Sequence, residues 1–394
     1  MFPISRPYAG RALRIGLATA LVAALALSGC SSTPTVAKKT PAAPTTTVVP
    51  TPAPFTATGV PSALADVIRP LYFGGVVPAS PSASGALVKR KPVNAAGPVV
   101  VVGAVSSWKG VPIAVVTSGS DVTLAVAAPK WKVVGGWWPS IGLSAPSVGG
   151  VRRVLVVGSD ARPGQPVDRS RGDSLHIVGL DGHGGGGVLG IPRDSYVPLA
   201  TGGRGKINSA LTFGGPVGLQ RTVTSLTGVR LEVYLITGFG GFEKLINGIG
   251  RLPVKVPVAV KDVMSGANVR VGVNNLNGPQ ALAYGRARHG VDGGDFGRSA
   301  NQGRIIMAAA GFAKLLGPAK LPALLGKAAP NIATNLSAEQ VLTLAAGVFA
   351  TNPAKVNNRV AIGGFGMTSD GQSIVLLDAN ARRMFADIRD GNLL

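Results

Sequence analysis

The stretch VRRVLVVGSDARPGQPVDRSRGDSLHIVGLDGHGGGGVLGIPRDS, residues 151–195, decides how the chain folds. Arg152 to Val157 is an apolar run of strand length that stops in the loop Gly158-Ser159-Asp160-Ala161-Arg162-Pro163-Gly164. Ser174 to Leu180 is a second such run, followed by the glycine turn 182–187 and a third run, Val188 to Ile191. Two strand-like runs joined by a glycine-rich turn read as a β-hairpin with a wide connection. Charge is confined to the ends of these strands: Asp160 and Arg162 after the first, Arg171 and Asp173 in SRGDS (170–174), Arg193 and Asp194 in IPRDS (191–195).

Downstream the period changes. Helical spacing runs through Val217 to Leu226 and Phe239 to Ile249, Val254 to Val260 is β-like, Pro279 to Tyr284 opens a helix, and Arg304 to Leu316 is another. Strands alternating with helices predict an α/β sheet covered by helices over residues 149–394. The tail, 355–394, predicts a hairpin of Val360 to Ile362 with Ile374 to Leu377, then a last helix.

Upstream, residues 56–148 read as a small β-rich accessory unit. Val60 to Leu71 predicts a helix ending near Pro70, and Pro98 to Val105, Val111 to Thr117, Val122 to Val126 and Lys132 to Gly135 predict short strands between turn residues. Trp131, Trp137 and Trp138 are expected in its core, and its only acids, Asp66 and Asp121, offer no acid/base pair. Residues 31–55, rich in Ser, Thr, Pro and Ala, have the composition of an extended linker.

Residues 1–30 read as a secretory signal. Arg6, Arg11 and Arg14 form a basic start, and Ile15 to Leu27 is an apolar run shorter than the roughly 20 residues a membrane span requires. Leu27-Ser28-Gly29-Cys30 matches the lipobox of bacterial lipoproteins, in which the cysteine is acylated. Cys30 is the only cysteine, so once lipidated it leaves no thiol for disulfides, metal ligation or nucleophilic catalysis. The expected place is extracytoplasmic, lipid-anchored at the outer face of the cell membrane. The net charge of +22, from 39 basic and 17 acidic residues, favours anionic partners. Export argues against nucleic acid among them and leaves anionic lipid or envelope polymer.

The fourth charged cluster is YGRARHGVDGGDFGRSANQGR (284–304), with Arg286, Arg288, Asp295, Arg298, Gln302 and Arg304. Arginine suits planar, bidentate recognition of phosphate oxygens. Several arginines on neighbouring strand-end loops repel one another unless an anion lies between them. Asp160 and Asp173 sit beside them, and carboxylates next to bound phosphates are a usual way to hold magnesium. Leu235 to Ile249 and Ile305 to Leu316 are apolar enough to line a lipid slot. His176, His183 and His289 do not form a metal set; only His289 lies near the arginines.

GSDARPG, RGDS, IPRDSYV, KINSA (206–210), LNGPQALAYGRAR (276–288) and DFGRSANQ (295–302), in that order, resemble the LytR-CpsA-Psr family of cell-envelope glycopolymer phosphotransferases. The resemblance covers residues 151–310, under half of the chain. It implies a three-layer α-β-α core around a mixed sheet, and transfer of a glycopolymer from a polyprenyl-pyrophosphate carrier to a peptidoglycan hydroxyl. It also implies that Asp160 and Asp173 bind magnesium and that Arg171, Arg193, Arg286, Arg288 and Arg298, with Gln302, bind the pyrophosphate. Asp160, Asp173 and Arg193 are then the catalytic set, while Lys206 and Asn208 fall in a supporting motif. The chain departs from the family in three respects: Asn301 stands where an arginine is usual, a lipobox replaces the usual N-terminal membrane helix, and 56–148 lies outside the shared core. Two other readings stay open: a polyprenyl-diphosphate pyrophosphatase using water, and an envelope protein that binds anionic polymer or lipid carrier without turnover.

Overall fold

In the computed structural model the described residues are 54–91, 97–162 and 164–394. The expected signal peptide, Cys30 and nearly all of the 31–55 linker lie outside them.

The first sheet is a meander of β1 (Phe55–Thr58), β2 (Val99–Trp108), β3 (Val111–Ser118), β4 (Asp121–Ala127), β5 (Trp131–Trp138) and β6 (Leu143–Ser147), in sequence order. All neighbours are antiparallel except β1 with β2. Helices α1 (Ser62–Phe73) and α2 (Pro81–Leu87) cover one face, and α1 continues past Pro70. Strand β4 shows why both faces are buried: Val122, Leu124 and Val126 point one way, Ala125 the other, as alternation along a strand demands. Trp108 and Trp138 are buried in this region, whereas Trp131 and Trp137 are only partly so.

The face bearing Leu124 is no free surface. It packs on α7 (Leu321–Ala328) and α8 (Ala338–Ala350), in one core with Val154 and Val233 of the second sheet. That sheet has the order Ala333–Thr334, Val233–Thr237, β7 (Arg152–Ser159), β8 (Gly172–Leu180), β9 (Gly186–Gly190), Val356–Val360. β7, β8 and β9 pair antiparallel, giving the predicted hairpin with its glycine turn. Val233–Thr237 joins β7 in parallel and Val356–Val360 joins β9 in parallel, so the sheet is mixed. On its far face Leu155, Val157, Ile177 and Leu189 pack with α3 (Ser209–Thr227) and α9 (Ala379–Asp387). Helices on both sides of one mixed sheet make the expected α-β-α core.

Beside it, α4 (Phe239–Ile249), α5 (Gly278–Arg286) and α6 (Asp295–Leu316) share a smaller core with two hairpins, Leu252–Val256 with Gly272–Leu276 and Val260–Asp262 with Ala267–Val269.

Three more elements differ from the sequence reading. Val254 to Val260 is not one strand but parts of two hairpins, divided at 257–259. Helix α6 begins at Asp295, not Arg304: its first turns are rich in glycine and polar residues because they pack tightly, not because they are loop. A Cβ on Gly303 would meet the Asn358 side chain, and one on Gly297 the Asp292 backbone. The tail hairpin is Gly363–Met367 with Ser373–Leu377, since Val356–Val360 is taken into the main sheet.

Candidate active site

The carboxyl end of Val233–Thr237, β7, β9 and Val356–Val360 and the amino end of antiparallel β8 meet along one edge of the sheet. Ligand sites of α/β proteins lie outside such edges. Asp160 follows β7 and Asp173 opens β8 on paired strands: Ser159 opposes Gly172, and the Asp160 amide donates to the Arg171 carbonyl (2.9 Å). The KINSA segment ties the loops together. The Gly172 amide donates to the Asn208 carbonyl (3.0 Å) and the Asn208 amide to the Arg193 carbonyl (3.1 Å), while Lys206 pairs with Asp194 at 3.1 Å. Arg286 is set by the last turn of α5, whose start is fixed by a capping box of Asn277 and Gln280, a motif that satisfies two otherwise orphaned amides.

These loops surround a cavity of about 460 Å³. Asp160, Asp173, Arg171, Arg193, Arg286, Arg288, Arg298 and Gln302 all line it, and so do Arg162 and His289. Its other wall is apolar: Phe239, Phe242, Leu282, Ile305 and Ile306. Both apolar segments singled out in the sequence therefore contribute to it, with α5 supplying Leu282.

The guanidinium groups are held in different ways. Arg171 donates to Asp160 through its amide (2.9 Å), Nε (3.0 Å) and Nη2 (2.9 Å), and the carboxylate raises its pKa. Arg193 donates from Nη1 to Asp173 Oδ2, leaving Asp173 Oδ1 buried and without a partner. Arg298 is 7% exposed; burial and then the charge of Arg193 bring it down to about 10, against the pull of Asp295, 3.0 Å away. Arg288 donates to the other oxygen of Asp295 (2.9 Å). Arg286 stacks on the Phe239 ring, 4.8 Å from its centroid, and Arg162 on the same ring at 5.6 Å. Six arginines against the three carboxylates that line the cavity, Asp160, Asp173 and Asp262, leave an excess of positive charge that suits an anion.

Asp262 was not foreseen. Its Oδ2 accepts the amides of Arg288 (2.9 Å) and His289 (3.2 Å), and its Oδ1 those of Met264 (2.9 Å) and Ser265 (3.4 Å). These amides, Arg288 first, hold its pKa at about 2. It anchors the turn carrying Arg288. His176 is buried mid-strand, its Nε2 3.0 Å from the Ser299 carbonyl. His183 sits in the exposed glycine turn, away from the cavity. Asn301 is buried, lies off the cavity lining and accepts from Arg304 (2.7 Å).

For magnesium the residues present are a partial set. Asp173 Oδ1 is free, but both Asp160 oxygens are engaged by Arg171. Among the described residues no three His, Cys, Asp or Glu side chains gather at a metal distance. That fits a cation drawing most of its shell from phosphate oxygens and water.

Residues 139–387 match the model of the LytR_cpsA_psr family. The chain belongs to this family. It is 36% identical over 157 residues to the regulatory protein MsrR of Staphylococcus aureus, covering 39% of this chain and 46% of that protein. It is 34% identical over 186 residues to TagV of Bacillus subtilis, a polyisoprenyl-teichoic acid–peptidoglycan teichoic acid transferase, covering 45% of this chain and 48% of that one. The chain thus spans about half the length of the relatives it matches. The crystal structure of B. subtilis TagV superposes with a TM-score of 0.52 at 29% identity, over 61% of this chain and 98% of that one. The LytR-CpsA-Psr core here is the second sheet with its helices and the α4–α6 lobe; most of the first sheet lies before the matched residues.

Proposed function

We propose that this LytR-CpsA-Psr protein transfers a glycopolymer from a polyprenyl-pyrophosphate carrier to a hydroxyl of peptidoglycan, outside the cytoplasm. One observation carries the reading: six arginines from four separate stretches of chain line one cavity whose other wall is apolar. A diphosphate esterified to a long hydrocarbon has that pair of properties.

The acceptor oxygen attacks the phosphorus nearer the glycan; the bond from that phosphorus to the bridging oxygen breaks, and polyprenyl phosphate leaves with the electron pair. Such a transfer asks the protein for alignment and charge neutralisation. Arg193 and Arg298, whose mutual repulsion an anion relieves, are placed at the transferring phosphoryl group, with Arg171, Arg286 and Arg288 on the outer oxygens. Gln302, whose Nε2 donates to the Gly285 carbonyl (2.9 Å), holds α6 against α5 beside them. Of the two carboxylates only Asp173 has a free oxygen, Oδ1, and a cation held there would make it a poor base for the hydroxyl proton. Asp160 and Asp173 would hold magnesium, which when bound would supply further neutralisation of the phosphates; Arg171 would then give up one Asp160 oxygen. Phe239, Phe242, Ile305 and Ile306 receive the first isoprene units. Lipidation of Cys30 would keep the site at the membrane that supplies the carrier.

The test is product analysis of the full chain with a polyprenyl-pyrophosphate-linked glycan, peptidoglycan and Mg²⁺. Glycan attached to peptidoglycan with release of polyprenyl phosphate is the expected result. Free phosphorylated glycan indicates the pyrophosphatase instead, and saturable binding without products indicates a non-catalytic carrier protein.

A further inference from the structure

We infer that the hairpin Gly363–Met367/Ser373–Leu377, with Phe365 and Met367 at its exposed face, is the docking surface for the acceptor glycan strand. The inference rests on the transferase reading above and adds where the second substrate lies.

Two independent orderings of residues point to it. Along the sheet edge, the groups that follow the strands run from Phe239, through Asp160, Asp173 and Arg193, to this hairpin, which follows Val356–Val360. Four strand spacings separate the ends, about 19 Å. Along α6, Phe296 comes first, then Arg298 and Gln302, then Ile305 and Ile306 in the apolar wall, about 15 Å for ten residues. The two orderings converge, because the rings of Phe296 and Phe365 lie 5.5 Å apart. The apolar wall and the hairpin therefore flank the arginines on opposite sides.

In-line displacement makes this arrangement matter. The attacking and leaving oxygens lie on opposite sides of the transferring phosphorus. With polyprenyl phosphate leaving toward Phe239 and Ile305, the acceptor approaches from the hairpin. There the surface has the character of a sugar platform: Phe365 is 69% exposed and Met367 72%. An exposed aromatic offers an apolar face to the C–H face of a pyranose, and the turn beyond it is exposed and polar, with Gln372 Nε2 donating to Asp370 (2.7 Å). The hairpin is fixed to the site rather than pendant, since the Val375 amide donates to the carbonyl of Asp194, next to Arg193 (2.9 Å).

The experiment measures binding of soluble, uncross-linked peptidoglycan glycan strands, and separately of an undecaprenyl-pyrophosphate-linked disaccharide, to the full chain and to Phe365→Ala and Phe365→Trp. Phe365→Ala is expected to weaken strand binding about tenfold, a usual loss on truncating an anchoring aromatic. Phe365→Trp is expected to retain it, and neither is expected to alter affinity for the lipid-linked disaccharide. Unchanged strand affinity in Phe365→Ala, no strand binding by the unmodified chain, or a loss confined to the lipid-linked disaccharide overturns the proposal. Absence of lipid-linked disaccharide binding in the unmodified chain instead overturns the transferase reading, and strand binding lost in Phe365→Ala then leaves a glycan-binding surface without its assigned acceptor role.

Discussion

Arg171 holds Asp160 by three hydrogen bonds at once, from its amide, Nε and Nη2. The pair is asymmetric: the Asp160 side chain is 18% exposed and that of Arg171 61%. The carboxylate is therefore the enclosed member and the guanidinium the one that faces solvent. Asp160→Ala removes the tether and the proposed cation ligand together. Magnesium-dependent transfer is expected to fall by about a hundredfold or more, in line with removal of one electrostatic stabiliser of a transition state. Stability is expected to fall by about 1–3 kcal/mol, since a largely enclosed carboxylate accepting three hydrogen bonds is lost. Thermal melting with a transfer assay checks both, and full activity in the variant removes Asp160 from the catalytic set.

Arg286, like Arg162, rests on the Phe239 ring rather than on a carboxylate. Truncation leaves no acid unpaired, so Arg286→Ala reports on the ligand alone. Losing a charge-assisted hydrogen bond costs about 1.5–3 kcal/mol, a loss of roughly tenfold to a hundredfold in affinity for a polyprenyl pyrophosphate. Arg288→Ala also frees one oxygen of Asp295, the other staying with Arg298, and that added negative charge near the diphosphate makes it the weaker expected binder of the two. Direct titration of each variant decides, and unchanged affinity in both dissolves the clamp.

The strands carrying Asp160, Asp173 and Arg193 were legible because their apolar alternation is local. Asp262 was not, because its role depends on a hairpin folding back on the amides of Arg288 and His289, 26 and 27 residues later. Nor was the start of α6: glycines selected by contact with Asn358 and Asp292 look, in sequence, like loop. Contacts between the first sheet and α7–α8 were hidden for a related reason, since Leu124 and Leu342 read as core residues whichever core they join.

The same Asp262 gives a pH prediction. Its folded pKa lies below the usual carboxylate value, at about 2, so its contribution is present above about 4 and lost as pH falls through 2. Pyrophosphate affinity should hold from neutral pH down to about 4 as far as this residue is concerned. Asp262→Ala, releasing the Arg288 turn, is expected to lower affinity at neutral pH while Asp262→Asn, which keeps one acceptor, lowers it less. Equal affinity of all three proteins at pH 7 contradicts the anchoring role.

His176 works in the opposite sense. Buried among strands, it is held neutral with its pKa pushed down to about 4, while the unfolded chain takes up a proton near 6.5. Stability therefore falls as pH drops from about 6.5 towards 4. A displacement of this size corresponds to about 3 kcal/mol at most. Melting temperatures at pH 7.5 and 5 should differ more for the unmodified chain than for His176→Gln, which cannot titrate; an identical pH dependence excludes His176 as the source.

Asn301 bears on whether a family arginine missing at this position matters. Its side chain is 3% exposed, off the cavity lining, with Oδ1 accepting from Arg304 and Nδ2 unpartnered. A residue so placed acts on α6 and not on the diphosphate. Asn301→Ala abolishes an orphaned donor and a hydrogen bond together, so the net change in stability is expected to be small, within about 1 kcal/mol. Affinity for a polyprenyl pyrophosphate is expected to stay within about twofold of the unmodified chain, a change of no more than about 0.4 kcal/mol. A tenfold loss in titration places Asn301 in the clamp after all, and shows that the cavity reaches further along α6 when the carrier is bound.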